Sequence, residues 1–141
     1  MSNFVDALLA LWTAPLAEDS AEQQFAELYT DPVVVNGVEF SLAELAARAR
    51  MLQSALTDLH AEILQVIEGD GSLALAFVMR GHHTGDYHSP LGVVPATGRE
   101  VEVRTIDVLT LTDGRISRIW VNADDLSMLR QLGALPLPKT A

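Results

Sequence analysis

The 141-residue chain contains no cysteine. That excludes disulfides, a thiol nucleophile and thiolate metal sites. Positive charge is scarce: 9 Lys and Arg stand against 19 Asp and Glu, a formal net charge of -10 with His neutral. Binding to nucleic acid or to an anionic membrane surface rests on clustered cations, so neither partner is expected. No apolar run approaches the roughly 20 residues needed to span a bilayer. Phe4 to Leu11 is apolar, but it contains Asp6 and follows no basic stretch, so it does not read as a secretory signal. A soluble cytoplasmic protein is the expectation. A glycine-rich phosphate loop and a nucleophile elbow are also missing.

What is present is apolar and patterned. Hydrophobic residues make up 49% and charged residues 20%, a balance that excludes intrinsic disorder. The length suits one domain with a buried core, and the chain 1–141 carries no repeat, low-complexity tract or second domain. Asn3 to Thr13 reads as an amphipathic helix with Phe4, Leu8, Leu11 and Trp12 on one side. Ser20-Ala-Glu-Gln23 is a capping-box pattern, and Phe25, Leu28 and Tyr29 follow at helical spacing until Asp31-Pro32. Val33 to Phe40, interrupted by Asn36-Gly37, reads as a small hairpin. Ser41-Leu-Ala-Glu44 is a second capping box opening a helix over 42–56, with Leu45, Leu52 and Leu56 as its buried stripe.

After Asp58 the period changes to two. Ala61 to Glu68 and Ser72 to His83 read as strands joined at Gly69-Asp70-Gly71, and the second, apolar on both faces, as a central strand. Gly85 to Gly98 is rich in turn residues. Glu100 to Thr112 and Arg115 to Asn122 flank Asp113-Gly114, a strong hairpin signal. If Thr112 faces Arg115 and pairing continues without interruption, Asp107 lies opposite Trp120, and Thr105 opposite Asn122. One face then carries Thr105, Asp107, Arg118, Trp120 and Asn122. The other carries Ile106, Val108, Ile119 and Val121. A last helix is expected from Asp125 to Leu132, stopped at Gly133, with Pro136 and Pro138 in a tail. Helices followed by long antiparallel strands give an α+β domain.

Several side chains carry candidate chemistry. Asp107 lies in a β-branched, apolar strand, a poor place for a carboxylate unless it faces a cavity or pairs with Arg118. Asp124 reads either as a general base, its pKa raised in an apolar pocket, or as the cap of the last helix. The two roles could be split, with Asp125 as the cap and Asp124 free. His82 and His83 face opposite sides of their strand, and parity with Phe77 and Met79 selects His83 for an inward position. His82, His83 and His88 lack a convincing ligand spacing, so zinc is not expected. Trp120 and Trp12 read as core or ligand-stacking groups, and Tyr29 as a hydrogen-bonding partner for a substrate oxygen or a surface helix end.

The ordered set Arg80-Gly-His-His83-Thr-Gly-Asp86, Pro95-Ala-Thr-Gly-Arg99, Asp107, Trp120-x-x-x-Asp124 and Gln131-Leu-Gly133 resembles the SnoaL-like polyketide and ester cyclases, of the nuclear transport factor two superfamily. The resemblance covers about Tyr29 to Gly133. It implies a cone-shaped barrel made by a strongly curved antiparallel sheet, with the amino-terminal helices packed in its concave face. It also implies frequent homodimers through the outer sheet face, where Ile106, Val108, Ile119 and Val121 would lie.

In those cyclases an aspartate after the final strand is the acid/base of an intramolecular aldol closure, and the matching residue is Asp124. Limonene epoxide hydrolases share the fold and use two aspartates with an arginine. Their aspartates match Asp107 and Asp124, but Thr105 stands where their arginine would be. Many cyclases also carry Glu-His-Trp where this chain has Arg118-Ile-Trp120.

The expected function is a cofactor-independent cyclase or isomerase acting on a small apolar or polyketide-like carbonyl compound. Asp124, Asp107 and His83 would be catalytic, and Trp120, Tyr29, Asn122 and Phe77 would bind substrate, with no metal. The alternatives are a non-catalytic ligand-binding or dimerisation module of the same fold and an epoxide hydrolase. A raised-pKa, unpaired Asp124 would favour an enzyme, and an Asp124 spent on helix amides would favour the module.

Overall fold

Helix α3 (Leu42–Ala55) starts where the local sequence says it should. The Glu44 amide donates to Ser41 Oγ at 3.2 Å, and Glu44 Oε1 accepts from the Ser41 amide at 3.3 Å, completing the capping box. Its far end runs without a break into strand β3 (Leu56–Gly69), because Leu56 is already extended. Leu42, Leu45, Ala46 and Ala49 form the buried stripe, with Leu52 partly buried beside it. The other capping box does not form. Ser20 makes no side-chain cap, and its hydroxyl accepts from Gln24 Nε2 instead. Helix α2 (Ala21–Ala26) is correspondingly short, and Tyr29 opens strand β1 (Tyr29–Val35) rather than closing a helix.

The computed structural model describes residues 2–135; Pro136 and Pro138 of the expected tail lie outside them. Helix α1 is Ser2–Thr13. Six strands form one sheet: β1 (Tyr29–Val35), β2 (Val38–Phe40), β3 (Leu56–Gly69), β4 (Ser72–His83), β7 (Glu100–Thr112) and β8 (Arg115–Ala123), in the order β2-β1-β8-β7-β4-β3. The turn-rich connection holds a separate hairpin, β5 (Tyr87–Ser89) with β6 (Gly92–Val94). Helix α4 (Asp125–Gln131) follows β8 directly.

The sheet is strongly curved but not closed, since β2 and β3 are its two edges. It is antiparallel at every seam but one, for β1 runs parallel to β8. Helices α1, α2 and α3 cover the concave face. Val5, Leu8, Phe25, Leu42 and Leu45 pack there against Leu73, Leu75, Leu109 and Ile116 of the strands, removing all of them from water.

One residue decides which side chains face that core. The Asp113-Gly114 turn pairs Thr112 with Arg115 and Leu111 with Ile116. Ser117 is then an extra residue, and pairing resumes with Thr110 opposite Arg118. Asp107 therefore lies opposite Val121, not Trp120, and Thr105 opposite Ala123, not Asn122. Because side chains alternate along a strand, the bulge reverses the face of everything after it. Ile119 and Val121 turn inward with Thr105, Asp107 and Leu109. Trp120, 50% exposed, and Asn122 turn outward with Ile106 and Val108. The outer-face apolar set is thus Ile106, Val108 and Trp120, without Ile119 and Val121.

Candidate active site

Curvature leaves a cavity of about 240 Å³ between the concave face and helices α1 and α3. That is room for roughly eight waters' share of liquid volume. Leu8, Leu9 and Leu45 of the helices and Phe77, Met79, Leu109 and Ile119 of the strands give it apolar walls. The polar groups in the wall are Trp12, Tyr29, Tyr87, Thr105, Asp107 and Asp125; among the described residues no Lys, Arg or His lines it.

Asp107 reaches the cavity because β7 alternates and Asp107 shares the inward parity of Thr105 and Leu109. Its Oδ1 is buried and has no hydrogen-bond partner among the described residues. Ionising a carboxyl there would place a charge in an apolar setting without compensation. Burial accordingly pushes Asp107 up from the ordinary 3.8 to about 7. Near neutral pH such a group exchanges protons in either direction with little driving force lost, as general acid/base work requires.

Tyr29 stands at the start of β1, 2% exposed. Its ring stacks on Phe25 at 5.3 Å, and Phe25 in turn meets Trp12 edge-on at 5.6 Å. Trp12 Nε1 donates to the Tyr29 hydroxyl oxygen at 2.8 Å. The end of α1 that carries Trp12 is fastened by Gln53 of α3, whose Nε2 donates to the carbonyls of Leu11 and Trp12 at 3.2 and 3.0 Å. Burial raises the Tyr29 pKa, opposed by the Trp12 hydrogen bond and reinforced by the negative charge of Asp107. Tyr29 is therefore a neutral phenol at any working pH.

Of the two readings open for Asp124 the structure shows the cap, and the split considered with Asp125 is reversed. Asp124 caps α4, with Oδ1 accepting from the Ser127 amide at 3.1 Å and Oδ2 lying 4.0 Å from Arg104 Nη2. It is not in the cavity wall. Asp125 is, and the Tyr87 hydroxyl donates to its Oδ1 at 3.4 Å. Burial, and then Asp125, push the Tyr87 phenol up to about 12.

The family model for SnoaL-like polyketide cyclases matches residues 4–132. The chain belongs to that family. No curated protein matches it. Solved SnoaL-type folds superpose closely. TsrD from Streptomyces laurentii is 23% identical, with a TM-score of 0.77 over 95% of each chain. A SnoaL-like polyketide cyclase from Agrobacterium tumefaciens is 22% identical, with a TM-score of 0.70 over 92% of this chain and 98% of that one. AclR from Streptomyces galilaeus, provisionally described as a hydroxylase, is 21% identical, with a TM-score of 0.71 over 99% of this chain and 91% of that one. At such identities the likeness is one of fold, and a cyclase and a provisional hydroxylase share it.

Within this SnoaL-like frame the other candidate residues fall into place or out of it. Phe77 lines the cavity, as does Tyr29. Trp120 and Asn122 do not, for the bulge sends them to the outer face. His83 faces inward, as its parity implied, and is fully buried, yet it is not part of the cavity wall. The Thr97 amide donates to His83 Nδ1 at 3.1 Å, which makes Nδ1 an acceptor and puts the ring proton on Nε2. Nε2 has no partner among the described residues, and the ring lies edge-on to Tyr87 at 6.5 Å. Arg104 turns outward toward Asp124 while Thr105 occupies the wall, so the arginine of an epoxide-hydrolase triad is not in the site. No three His, Cys, Asp or Glu side chains converge on one point among the described residues.

Sequence reasoning did not single out Tyr87, considered Asp125 only as a helix cap, and left Trp12 as core or a ligand-stacking group. The signal for the hairpin register was present. Ile116, Ile119 and Val121 are apolar at spacings of three and then two, and an odd spacing on one face of a strand requires an extra residue.

Proposed function

We propose that this SnoaL-like protein is a cofactor-independent cyclase or isomerase of small carbonyl compounds, with Asp107 as its acid/base. The observation that carries this reading is the Asp107 carboxyl in an apolar cavity, its Oδ1 buried without a hydrogen-bond partner among the described residues, and burial pushes it up to about 7. As carboxylate, Asp107 takes a proton from a carbon next to a carbonyl, leaving an enolate. The enolate carbon attacks a second carbonyl of the same molecule, forming the ring bond. The protonated Asp107 then returns its proton to the new alkoxide, so the product is an isomer of the substrate. The cavity contributes by excluding water and by folding a flexible chain into reactive contact.

The base role expected of Asp124 passes to Asp107 in this reading, because the Asp124 carboxylate is engaged by the Ser127 amide and Arg104. His83, Trp120 and Asn122 have no contact with the reacting atoms in it.

Deuterium uptake tests this. Compact aryl ketones are incubated with the protein in D₂O, and exchange at the carbon beside the carbonyl is followed by NMR. Wild type is expected to exchange, Asp124→Asn to exchange equally, and Asp107→Asn to lose at least about 100-fold. A wild type that binds the ketone without exchange would leave a non-catalytic binding module as the reading.

We also infer a homodimer through the outer sheet face. Ile67, Ala74, Val108 and Trp120 are register partners across β3, β4, β7 and β8, and Ile67, Val108 and Trp120 are 57%, 43% and 50% exposed. A contiguous apolar row of this kind on a sheet is a common site of association.

A further inference from the structure

Asp107 can move a proton, but enolisation also needs a group to hold the carbonyl oxygen as negative charge develops on it. No cation in the described cavity wall can do this. We propose that Tyr29 is that group, its hydroxyl oxygen already loaded by the Trp12 indole, and that the cavity therefore selects a neutral ketone of one or two rings. This rests on the enolising reading above.

The Tyr29 hydroxyl oxygen receives the Trp12 N–H at 2.8 Å. A hydroxyl that accepts one hydrogen bond becomes a better donor of its own proton. No described protein acceptor takes that proton, although Tyr29 is almost wholly enclosed. A buried O–H without an acceptor is costly, so it has a use for a ligand oxygen. Tyr29 and Asp107 both line the cavity without hydrogen-bonding each other, so each is free to meet the same ligand, Tyr29 at a carbonyl oxygen and Asp107 at the neighbouring carbon.

Ligand charge follows from the same wall. A carboxylate or phosphate would be stripped of water beside Asp107 and Asp125 with no counter-charge. An ammonium would gain a carboxylate at Asp107 but would meet the donor face of Tyr29, whose O–H needs an acceptor. A ketone satisfies Tyr29 and leaves Asp107 free to titrate. The volume of about 240 Å³ is below the usual range for drug-sized ligands, which limits the molecule to a compact skeleton. Trp12 acts through Tyr29 and is a positioning residue. Its Nε1–H is the part that matters, and Trp12→Phe removes it while keeping an aromatic ring against Phe25.

The probe is 1-tetralone carrying ¹³C at its carbonyl, read by difference infrared spectroscopy and by titration. Its comparators are 1-aminotetralin and 1-naphthoate, a cation and an anion of the same shape. Bound to wild type, the carbonyl band should fall below its position in hexane. Tyr29→Phe should abolish that shift and weaken affinity about tenfold. Trp12→Phe should give a smaller shift with binding retained, which keeps the test usable should Tyr29→Phe fail to fold.

The proposal is overturned if wild type leaves the band unshifted or does not bind the ketone. It is equally overturned if Tyr29→Phe keeps shift and affinity, or if either charged analogue binds more tightly. Deuterium exchange measured on the same samples separates the two readings. A shifted band without exchange supports the Tyr29 assignment and sinks the base role of Asp107. Exchange without a shift sinks the Tyr29 assignment alone.

Discussion

Asp124 and Asp125 are neighbours in the chain and serve different surfaces. The first accepts the Ser127 amide at 3.1 Å and closes the start of α4, while the second turns into the cavity and meets the Tyr87 hydroxyl at 3.4 Å. Removing the two carboxylates should therefore have separable effects. Asp124→Ala is expected to cost about 1 kcal/mol, a fall of roughly 3 °C in thermal midpoint, because the amide loses its acceptor. Asp125→Asn should leave the midpoint nearly unchanged and alter ligand affinity instead. Calorimetry on both variants checks this, and equal destabilisation would contradict it.

Asp107 makes stability depend on pH. Its folded value, about 7, lies above the ordinary 3.8 of an unfolded chain. Between those values the folded protein holds more protons than the unfolded one, so stability falls as pH rises through that window, by on the order of 2–4 kcal/mol. Above the folded value this group contributes no further loss. Urea titrations from about pH 5 to about pH 8 should show the decline in wild type and a flatter profile in Asp107→Asn. Parallel profiles for the two proteins would mean that Asp107 is not desolvated.

Gly85 lets the β5–β6 hairpin lie against α3. A Cβ at this position would collide with the backbone carbonyl of Ser54, and the Gly85 amide donates to the Ala55 carbonyl at 3.1 Å. Backbone cannot step aside as a side-chain tip can, so Gly85→Ala should destabilise by about 2 kcal/mol or more. It should also shift Tyr87, which the same hairpin carries. The Tyr87 ring resonances report the displacement, and unchanged resonances with full stability would refute it.

The outer face should hold a second copy of the chain. Sedimentation equilibrium is expected to give a dimer for wild type and a monomer for Trp120→Glu, with the ketone affinity of the cavity preserved. A wild type that sediments as a monomer at every concentration would end the dimer reading.

Much of this protein was determined by the sequence alone. Period-two runs bounded by Asn36-Gly37, Gly69-Asp70-Gly71 and Asp113-Gly114 placed the hairpins, because turn chemistry and alternation are local. The capping box at Ser41 placed α3 for the same reason, and the ordered motifs from Arg80 to Gly133 carried the family. Asp107 stood out as a carboxylate in an apolar strand, and it lines the cavity with its Oδ1 buried and without a hydrogen-bond partner among the described residues. Tertiary structure decided what alternation cannot carry past an irregularity. The extra residue at Ser117 reverses every later side chain of β8, which moved Trp120 and Asn122 out and Val121 in. It also decided the parallel seam of β1 with β8, the indole of Trp12 against Tyr29, and which of two adjacent aspartates meets the cavity. Those depend on contacts between residues far apart in the chain, and local propensity holds no information about them.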